Sequence, residues 1–317
     1  MISSFLPYPL LSGGNIRLYN LLKYLHKKHE ITLICEKRDF QKDSDVKKVE
    51  EVCFKVITVP RKKQWSASNL VKTAISPKPF LMVGHDLPEM RSIIKDLLSS
   101  RKFDLIHVET FYVMHNLPKT KIPIVLVEHN VEYLIYKRYA HNSNVLFRPL
   151  FLLDVWKMRR EEQKAWKKAS VLVAVSEKEK NQMGRNAWVV PNGANVEKFQ
   201  PKKYKKDRRL QKILFIGDFK YIQNIDAASL IIKKIWPLVL EENKDVLLWI
   251  VGKDASKKLS NIKGDSIIFE DNPTNNTEEI YEKADILLAP IRVGGGTSLK
   301  ILEAMAVGLP VITTPLG

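Results

Sequence analysis

The chain has 317 residues, enough for two domains of ordinary size that each bury a core. Its 45% hydrophobic content excludes a disordered chain, and two cysteines, Cys35 and Cys53, exclude a disulfide framework. Lys and Arg outnumber Asp and Glu by 52 to 35, a net charge of +17. That balance calls for an anionic partner (nucleic acid, an acidic membrane surface or a phosphate-bearing ligand) or describes a generally basic, solvated surface. No Cys/His spacing suits a metal. No run reaches the ~20 apolar residues of a spanning helix, and the nearest, Val145–Trp156, is broken by Arg148, Pro149 and Asp154. A signal peptide is also absent from the pattern.

Met1–Phe5 reads as the tail of a strand and Val311–Gly317 as a strand stopping in mid-architecture, so truncation at both ends is expected. Short apolar runs follow in order: Ile31–Cys35, Val56–Val59, Leu105–Val108, Ile124–Val127, Val171–Val175 and Trp188–Val190. After a gap come Ile213–Ile216, Val246–Val251, Ile267–Phe269, Ile286–Ala289 and Val311–Thr313. Most are rich in Val, Ile and Leu without alternation, as strands buried on both faces are. Helical periodicity lies between them: Leu18, Leu21, Leu22 and Leu25 share one face, as do Ile93, Ile94, Leu97 and Leu98. Strands alternating with helices predict two α/β domains with parallel sheets.

The expected division is 1–190, a basic linker 191–212 without apolar periodicity, and 213–317. Cys35, inside an apolar run, is expected in the core. Tyr133–Lys168 mixes aromatic residues with Lys and Arg. It suits an insertion packed on its own domain with its charges in water, or an interfacial helix on an anionic bilayer.

The densest signal is Pro290–Pro310. Gly294, Gly295 and Gly296 follow a strand and, with Thr297 as N-cap, open a helix that Gly308 and Pro310 close. A glycine loop at a helix N-terminus offers free N–H groups to a phosphate. Lys300 and Glu303, three apart, share the one face that is not apolar. A cation in the first turn opposes the helix dipole and makes sense beside an anion. A carboxylate one turn on can accept from two ribose hydroxyls. A plain Lys–Glu pair on a wet face has the same spacing.

A second glycine turn, Ser12-Gly13-Gly14-Asn15-Ile16-Arg17, opens the Leu18–Leu25 helix with Arg17 in its first turn. Two such anion sites suggest one diphosphate clasped from both sides, although each is also compatible with a simple turn and an exposed Arg. Glu128-His129-Asn130 follows a strand directly. His129 therefore lies where ligands bind in open parallel sheets, or serves structure. Gly217 and Gly252 end strands.

In order, Gly-Gly-x-x-Arg (13–17), Glu-His-Asn (128–130), Val-Ser-Glu (175–177), Val-Pro-Asn-Gly (190–193), Phe-Ile-Gly (215–217) and the long motif 294–311 resemble the family 4 glycosyltransferases of GT-B fold. The resemblance implies two Rossmann-like domains facing across a cleft, with the C-terminal one incomplete here. It implies retaining transfer from a UDP- or GDP-sugar and no required metal or other cofactor. It carries Glu303 to the ribose, and Lys300, Gly294–Thr297 and Gly14 to the diphosphate. His129 takes the position near the transferred sugar. Two departures stand out. The acidic residue many members carry eight before Glu303 is Gly295 here. The basic residue expected after the Phe-x-Gly strand is missing from Tyr221-Ile222-Gln223-Asn224, leaving Lys220 as its substitute at the diphosphate.

The expected function is thus transfer of a sugar to a lipid-linked or cell-envelope glycan acceptor. The expected location is the cytoplasm, at the inner face of the plasma membrane if the basic aromatic segment docks there. Rivals are a truncated, non-catalytic nucleotide- or membrane-binding protein and a nucleotide-sugar epimerase of the same fold. No nucleic-acid motif is present, so no nucleic-acid partner is expected. No pair of carboxylates suits a glycosidase.

Overall fold

The computed structural model describes residues 1–61, 63–141, 143–184, 187–201, 211–259, 264–271, 276–292 and 298–315. The chain divides into two compact units, Met1–Pro191 and Asn192–Gly317.

Unit 1 is built on seven parallel strands: β1 (Ile2–Ser3), β2 (Thr32–Lys37), β3 (Lys55–Pro60), β4 (Ile106–Glu109), β5 (Ile124–Glu128), β6 (Val171–Ala174) and β7 (Trp188–Val189). Their order across the sheet is β3-β2-β1-β4-β5-β6-β7. Unit 2 has β8 (Gln211–Ile216), β9 (Val246–Val251), β10 (Ile267–Glu270), β11 (Ile286–Ala289) and β12 (Val311–Thr313), again all parallel. Their order is β10-β9-β8-β11-β12. In each sheet the chain starts in the middle, runs to one side, then crosses to the other. Each therefore has a switch point, β1/β4 in unit 1 and β8/β11 in unit 2, where helices splay and leave a crevice at the strands' carboxyl ends.

The expected strands all form, because a strand covered on both faces needs an uninterrupted apolar run. β9 is buried at every residue. In unit 1 the Gly13–Leu25 helix lays Leu18 and Leu22 on Leu33 and Cys35, and the Pro88–Ser100 helix contributes Met90 and Ile94 to the opposite layer. Cys35 is core, as expected; burial raises both its thiol and that of Cys53, the latter to about 11.

Residues after the division do not behave wholly as a linker. Phe199 is buried in unit 2 with its ring 5.8 Å from that of Tyr281, because an aromatic side chain next to an apolar face gains more by covering it than by staying in water. Residues 202–210 lie outside the described residues. A five-residue π-turn, Ile231–Ile235, joins the Ile222–Leu230 helix to Trp236–Glu242. Pro237 follows it and has no N–H to give an ordinary helical ladder.

Two structural devices lie close to the switch points. In unit 2 the loops after β8 and β9 touch: Gly252 has φ +145°, and a β-carbon on it would sit 1.7 Å from the Gly217 carbonyl oxygen. In unit 1 the side chain of Glu128 is wholly buried beside Glu162, with Trp166 Nε1 donating to its Oε1 at 3.1 Å. Glu162 accepts from the N–H groups of Glu132 (2.8 Å) and Tyr133 (3.1 Å), capping the Glu132–His141 helix from the Arg148–Lys168 helix. Burial raises both carboxyls, Glu162 to about 8.

Gly252→Ala is expected to destabilise unit 2 by about 3 kcal/mol or more, read by urea denaturation, since both its φ and the space around it admit only glycine. The raised carboxyls set a pH trend of known sign. The fold favours their protonated forms, so their contribution is complete below the ordinary value of 4.5 and is lost as pH rises to about 8. Thermal stability should fall across that window. Glu162→Gln removes the titrating carboxyl but keeps one oxygen for the two N–H groups, so it should flatten the fall while lowering stability at every pH.

Candidate functional site

The unit 1 residues singled out in the sequence meet at the β1/β4 crevice. The Gly13–Leu25 helix begins there, with Ser12 as N-cap accepting from Asn15 N, while Asn15 Nδ2 donates to Leu6 O at 3.1 Å. Gly13 and Gly14 form its first turn, where unpaired N–H groups and the positive end of the dipole favour an anion. A β-carbon on Gly14 would come 3.8 Å from both Nδ1 and Cε1 of His129. The structure thus brings the glycine turn and the post-β5 histidine together across 115 residues of chain, the difference between positions 14 and 129.

His129 is oriented from behind. Its Nε2 lies 2.6 Å from Glu109 Oε2, and His107 Nε2 lies 2.8 Å from Glu109 Oε1. Glu109 ends β4 and is fully buried. Burial opposes its ionisation, but the hydrogen bonds from His107 and His129 and their charge outweigh it, so its carboxyl is held well below the ordinary range. An ionised carboxylate only accepts, so each facing imidazole nitrogen carries a hydrogen. With Nε2 turned to Glu109, the ring's other nitrogen, Nδ1, faces Gly14. Glu109 was not foreseen. The signal available was its place at a strand's carboxyl end, the same argument that selected His129.

Arg17 has a different setting from the one expected. Its Nη2 donates to Val190 O (2.9 Å) and its Nη1 to Pro191 O (3.1 Å), tying the first helix to the chain leaving β7. Burial lowers its pKa, partly offset by the charge of Glu109. A second buried cluster follows β2 and β3: His85 Nδ1 lies 2.6 Å from Glu36 Oε1, and Arg61 Nη2 lies 3.4 Å from His85 Nε2. Arg61 also donates to Ser4 O at 3.3 Å, which pins the loop after β1.

In unit 2 the Leu299–Ala306 helix follows β11 and starts from Ser298 as N-cap, in place of the expected Thr297. Gly294, Gly295, Gly296 and Thr297 lie outside the described residues. Lys300 stands in the helix's first turn. Its Nζ donates to Asn224 Oδ1 at 2.9 Å and sits 4.8 Å from the centre of the Phe215 ring. Asn224 is held in turn by Asp218 O, 2.8 Å from its Nδ2. Loss of water around the ammonium lowers the Lys300 pKa to about 8, against the opposing charge of Glu303. Glu303 takes a hydrogen bond from Tyr281 OH at 2.8 Å. Burial raises its carboxyl, moderated by Tyr281 and by the charges of Lys198 and Lys300.

Lys300 and Glu303 are therefore not a wet surface pair: each has a separate neutral partner. Lys220 is different. It pairs with Asp218 at 2.8 Å inside its own turn and covers the Tyr221 ring at 4.8 Å. Lys300, rather than Lys220, is the cation bonded to the β8 loop through Asn224. Asn224 and Tyr281 were both missed, because each acquires its role only from a tertiary contact.

The chain has relatives along its whole length. An uncharacterised 44.6 kDa protein in the cps region of Klebsiella pneumoniae is 23% identical over 332 residues, covering all of this chain and 82% of the relative. Among solved structures, Anabaena HepE in complex with UDP superposes with a TM-score of 0.61 at 13% identity, covering 100% of this chain and 80% of that one. A glycosyltransferase from Rickettsia africae gives 0.59 at 14% identity, with 100% and 79% coverage. These structural likenesses are of fold, the two-domain GT-B architecture. The model of glycosyltransferase family 4 matches residues 11–198 and that of glycosyl transferases group 1 matches residues 211–317; with the first alone spanning more than half of its length, the chain belongs to the family 4 glycosyltransferases.

Proposed function

We propose that this glycosyltransferase takes a sugar from a UDP- or GDP-sugar and passes it, with retention at the anomeric carbon, to a lipid-linked or cell-envelope glycan. The carrying observation is the Lys300–Glu303 arrangement at the switch point of unit 2, where a desolvated ammonium and a half-buried carboxylate stand one turn apart on the helix after β11. Supporting it, Anabaena HepE was crystallised with UDP-glucose as well as UDP. The relative from a capsule region supports an envelope glycan as acceptor. The two free cysteines suit a reducing compartment, the cytoplasm.

The chemistry follows from charge. Breaking a sugar–diphosphate bond leaves negative charge on the phosphate oxygens and positive charge on the ring. Lys300 and the N-terminal amides of its helix meet the first, as a preorganised field that needs no solvent rearrangement. No metal is required if Lys300 supplies that charge. Glu303, steadied by Tyr281, accepts the ribose hydroxyls. In unit 1, His129 accepts a hydroxyl of the transferred sugar at Nδ1, and Glu109 fixes the tautomer that leaves this lone pair available. Gly13 and Gly14 let the backbone of the first helix approach an anionic group closely.

Lys300 makes the donor site sensitive to pH in a defined way. A bound diphosphate raises its pKa above the free value of about 8, so binding takes up a proton near that pH and weakens above it. Calorimetry with UDP is expected to show Kd steady below pH 7.5 (roughly half a unit under the free pKa) and rising above about 8. Lys300→Ala should weaken binding about tenfold and remove the upward limb. If Kd rises identically in the variant, another group titrates. Glu303→Ala should raise the donor KM by roughly tenfold or more, with kcat less affected.

For unit 1, Glu109→Gln should lower kcat by up to about a hundredfold with little change in donor KM, because it disturbs the aim of His129 rather than donor binding. An equal rise in KM would give Glu109 a binding role instead. Product analysis is the overall test: glycoside formed only with acceptor, and resistant to a metal chelator, supports the reading. Epimerised nucleotide-sugar without acceptor would overturn it.

A further inference from the structure

Apolar side chains left in water are concentrated on one part of unit 1. Of the large hydrophobic residues exposed among the described residues, Trp65, Leu70, Val71 and Ile75 lie on or beside the Ala67–Ile75 helix. Tyr139, Val145, Leu146, Phe147, Leu150, Leu153 and Trp156 lie along the end of the Glu132–His141 helix, the following turn and the start of Arg148–Lys168. Ile75 is 82% exposed and Leu146 80%, the extremes of the whole set.

The two groups are joined. Lys157 Nζ donates to the carbonyls of Thr73 and Ser76, both at 2.8 Å, closing the C-terminal end of the Ala67–Ile75 helix. Asp154 accepts from Phe80 N at 2.8 Å, and the Phe80 ring lies 4.7 Å from that of Trp65. Tyr139 packs on Phe151 at 5.7 Å, adding the preceding helix. The short helix is therefore fixed in place with an apolar face uncovered, which a soluble surface does not favour.

The charge around this face selects its partner. Residues 63–78 and 133–160 carry nine Lys and Arg and one acid, Asp154. That acid is already bonded to a backbone N–H. Lys63, Lys72, Lys137, Arg138, Arg159 and Arg160 are exposed. Arg160 lies over the Trp156 ring at 5.9 Å. A second copy of the chain would set one basic face on another. A bilayer with anionic headgroups accepts both components, taking the apolar side chains below the headgroups and pairing phosphates with the cations. Trp and Tyr at the border suit the polar–apolar interface.

We infer that the Ala67–Ile75 helix and the Tyr139–Trp156 segment together form a docking surface for an anionic lipid bilayer. The aromatic, basic stretch gave half of this surface from sequence. The Ala67–Ile75 helix supplies the other half and converts a single amphipathic segment into a two-helix footprint. The inference does not rest on the donor site, and UDP binding is read separately.

The test is sedimentation of the full chain with vesicles of phosphatidylcholine alone or with about 30 mol % phosphatidylglycerol. Binding is expected only to the second, falling at least about tenfold between low and roughly 0.5 M salt as the cations are screened. The tryptophan emission should shift to the blue on binding, and less so in Trp65→Phe/Trp156→Phe. Ile75→Glu/Leu150→Glu should lose binding about tenfold or more while keeping its thermal stabilisation by UDP. Lys63→Ser/Lys72→Ser, which leaves the apolar face intact, should weaken binding severalfold. Equal binding to both vesicles, full retention of binding in the Ile75/Leu150 variant, or capture only by an acidic protein would overturn the inference.

Discussion

Parallel strands send every carboxyl end to the same edge of their sheet, and this constraint organises both units. Each sheet begins in its middle and reverses direction once, so the crevice falls between the first strand and the fourth. Helix N-termini arrive at the same edge, bringing unpaired amides and positive dipole ends with them. Glu109, His129 and Gly14 gather there in unit 1. Gly217, Asn224 and Lys300 gather there in unit 2. Close approach of the strand-end loops is part of the same arrangement: a side chain on Gly252 would strike the Gly217 carbonyl, and one on Gly217 would strike the Asn224 side chain.

Buried charge separates side chains that hold the fold from those that could act. Glu128, the last residue of β5, and His129, the first after it, are adjacent in sequence but have different partners. Glu128 goes inward to Trp166 and Glu162, where burial raises both carboxyls and the protonated form is the stable one. His129 goes to the crevice, backed by a carboxylate whose pKa moves the other way. Two histidines are enough to reverse the effect of burial on Glu109, whereas a second carboxylate reinforces it at Glu128. The direction of the shift follows from partner identity and not from depth.

The fold was readable because buried parallel strands must be continuous apolar runs, and runs such as Val246–Val251 and Ile286–Ala289 match the observed strands to the residue. The short β1 was readable only as a remnant, since Ile2–Ser3 carries little pattern by itself. Site residues were legible where chemistry is unusual for its position: glycines beside a helix, a cation in a first turn, a histidine after a strand. Tyr281 and Asn224 carry no such mark, and their meaning comes from neighbours distant in sequence; Glu109 carried only its place at a strand's carboxyl end. The Ala67–Ile75 helix was missed for the opposite reason. Ala67, Leu70, Val71, Ala74 and Ile75 recur at the spacing of a stripe that normally faces a core, and only the structure reveals that Leu70, Val71 and Ile75 remain in water. Lys220, the cation nearest the gap in the motif, has Asp218 two residues earlier as its local partner.

In the proposed reading Lys300 is a half-prepared anion site. A fully solvated lysine would hold its proton far above neutrality and would offer a phosphate little that water does not. A lysine with a carboxylate partner would have to give that partner up. Asn224 and the Phe215 ring supply neither water nor a full negative charge. The ammonium is oriented but electrostatically under-compensated, and its pKa falls to about 8 as a result. Any dianion entering that space relieves the deficit, so attraction for the ligand and the lowered pKa have a single cause. Glu303, one turn further along, is under-compensated in the opposite sense, with Tyr281 rather than a cation as its nearest donor. A ligand that presents phosphate oxygens to one end of a turn and hydroxyls to the other would satisfy both at once, which is why a nucleoside diphosphate is the ligand we propose for this turn.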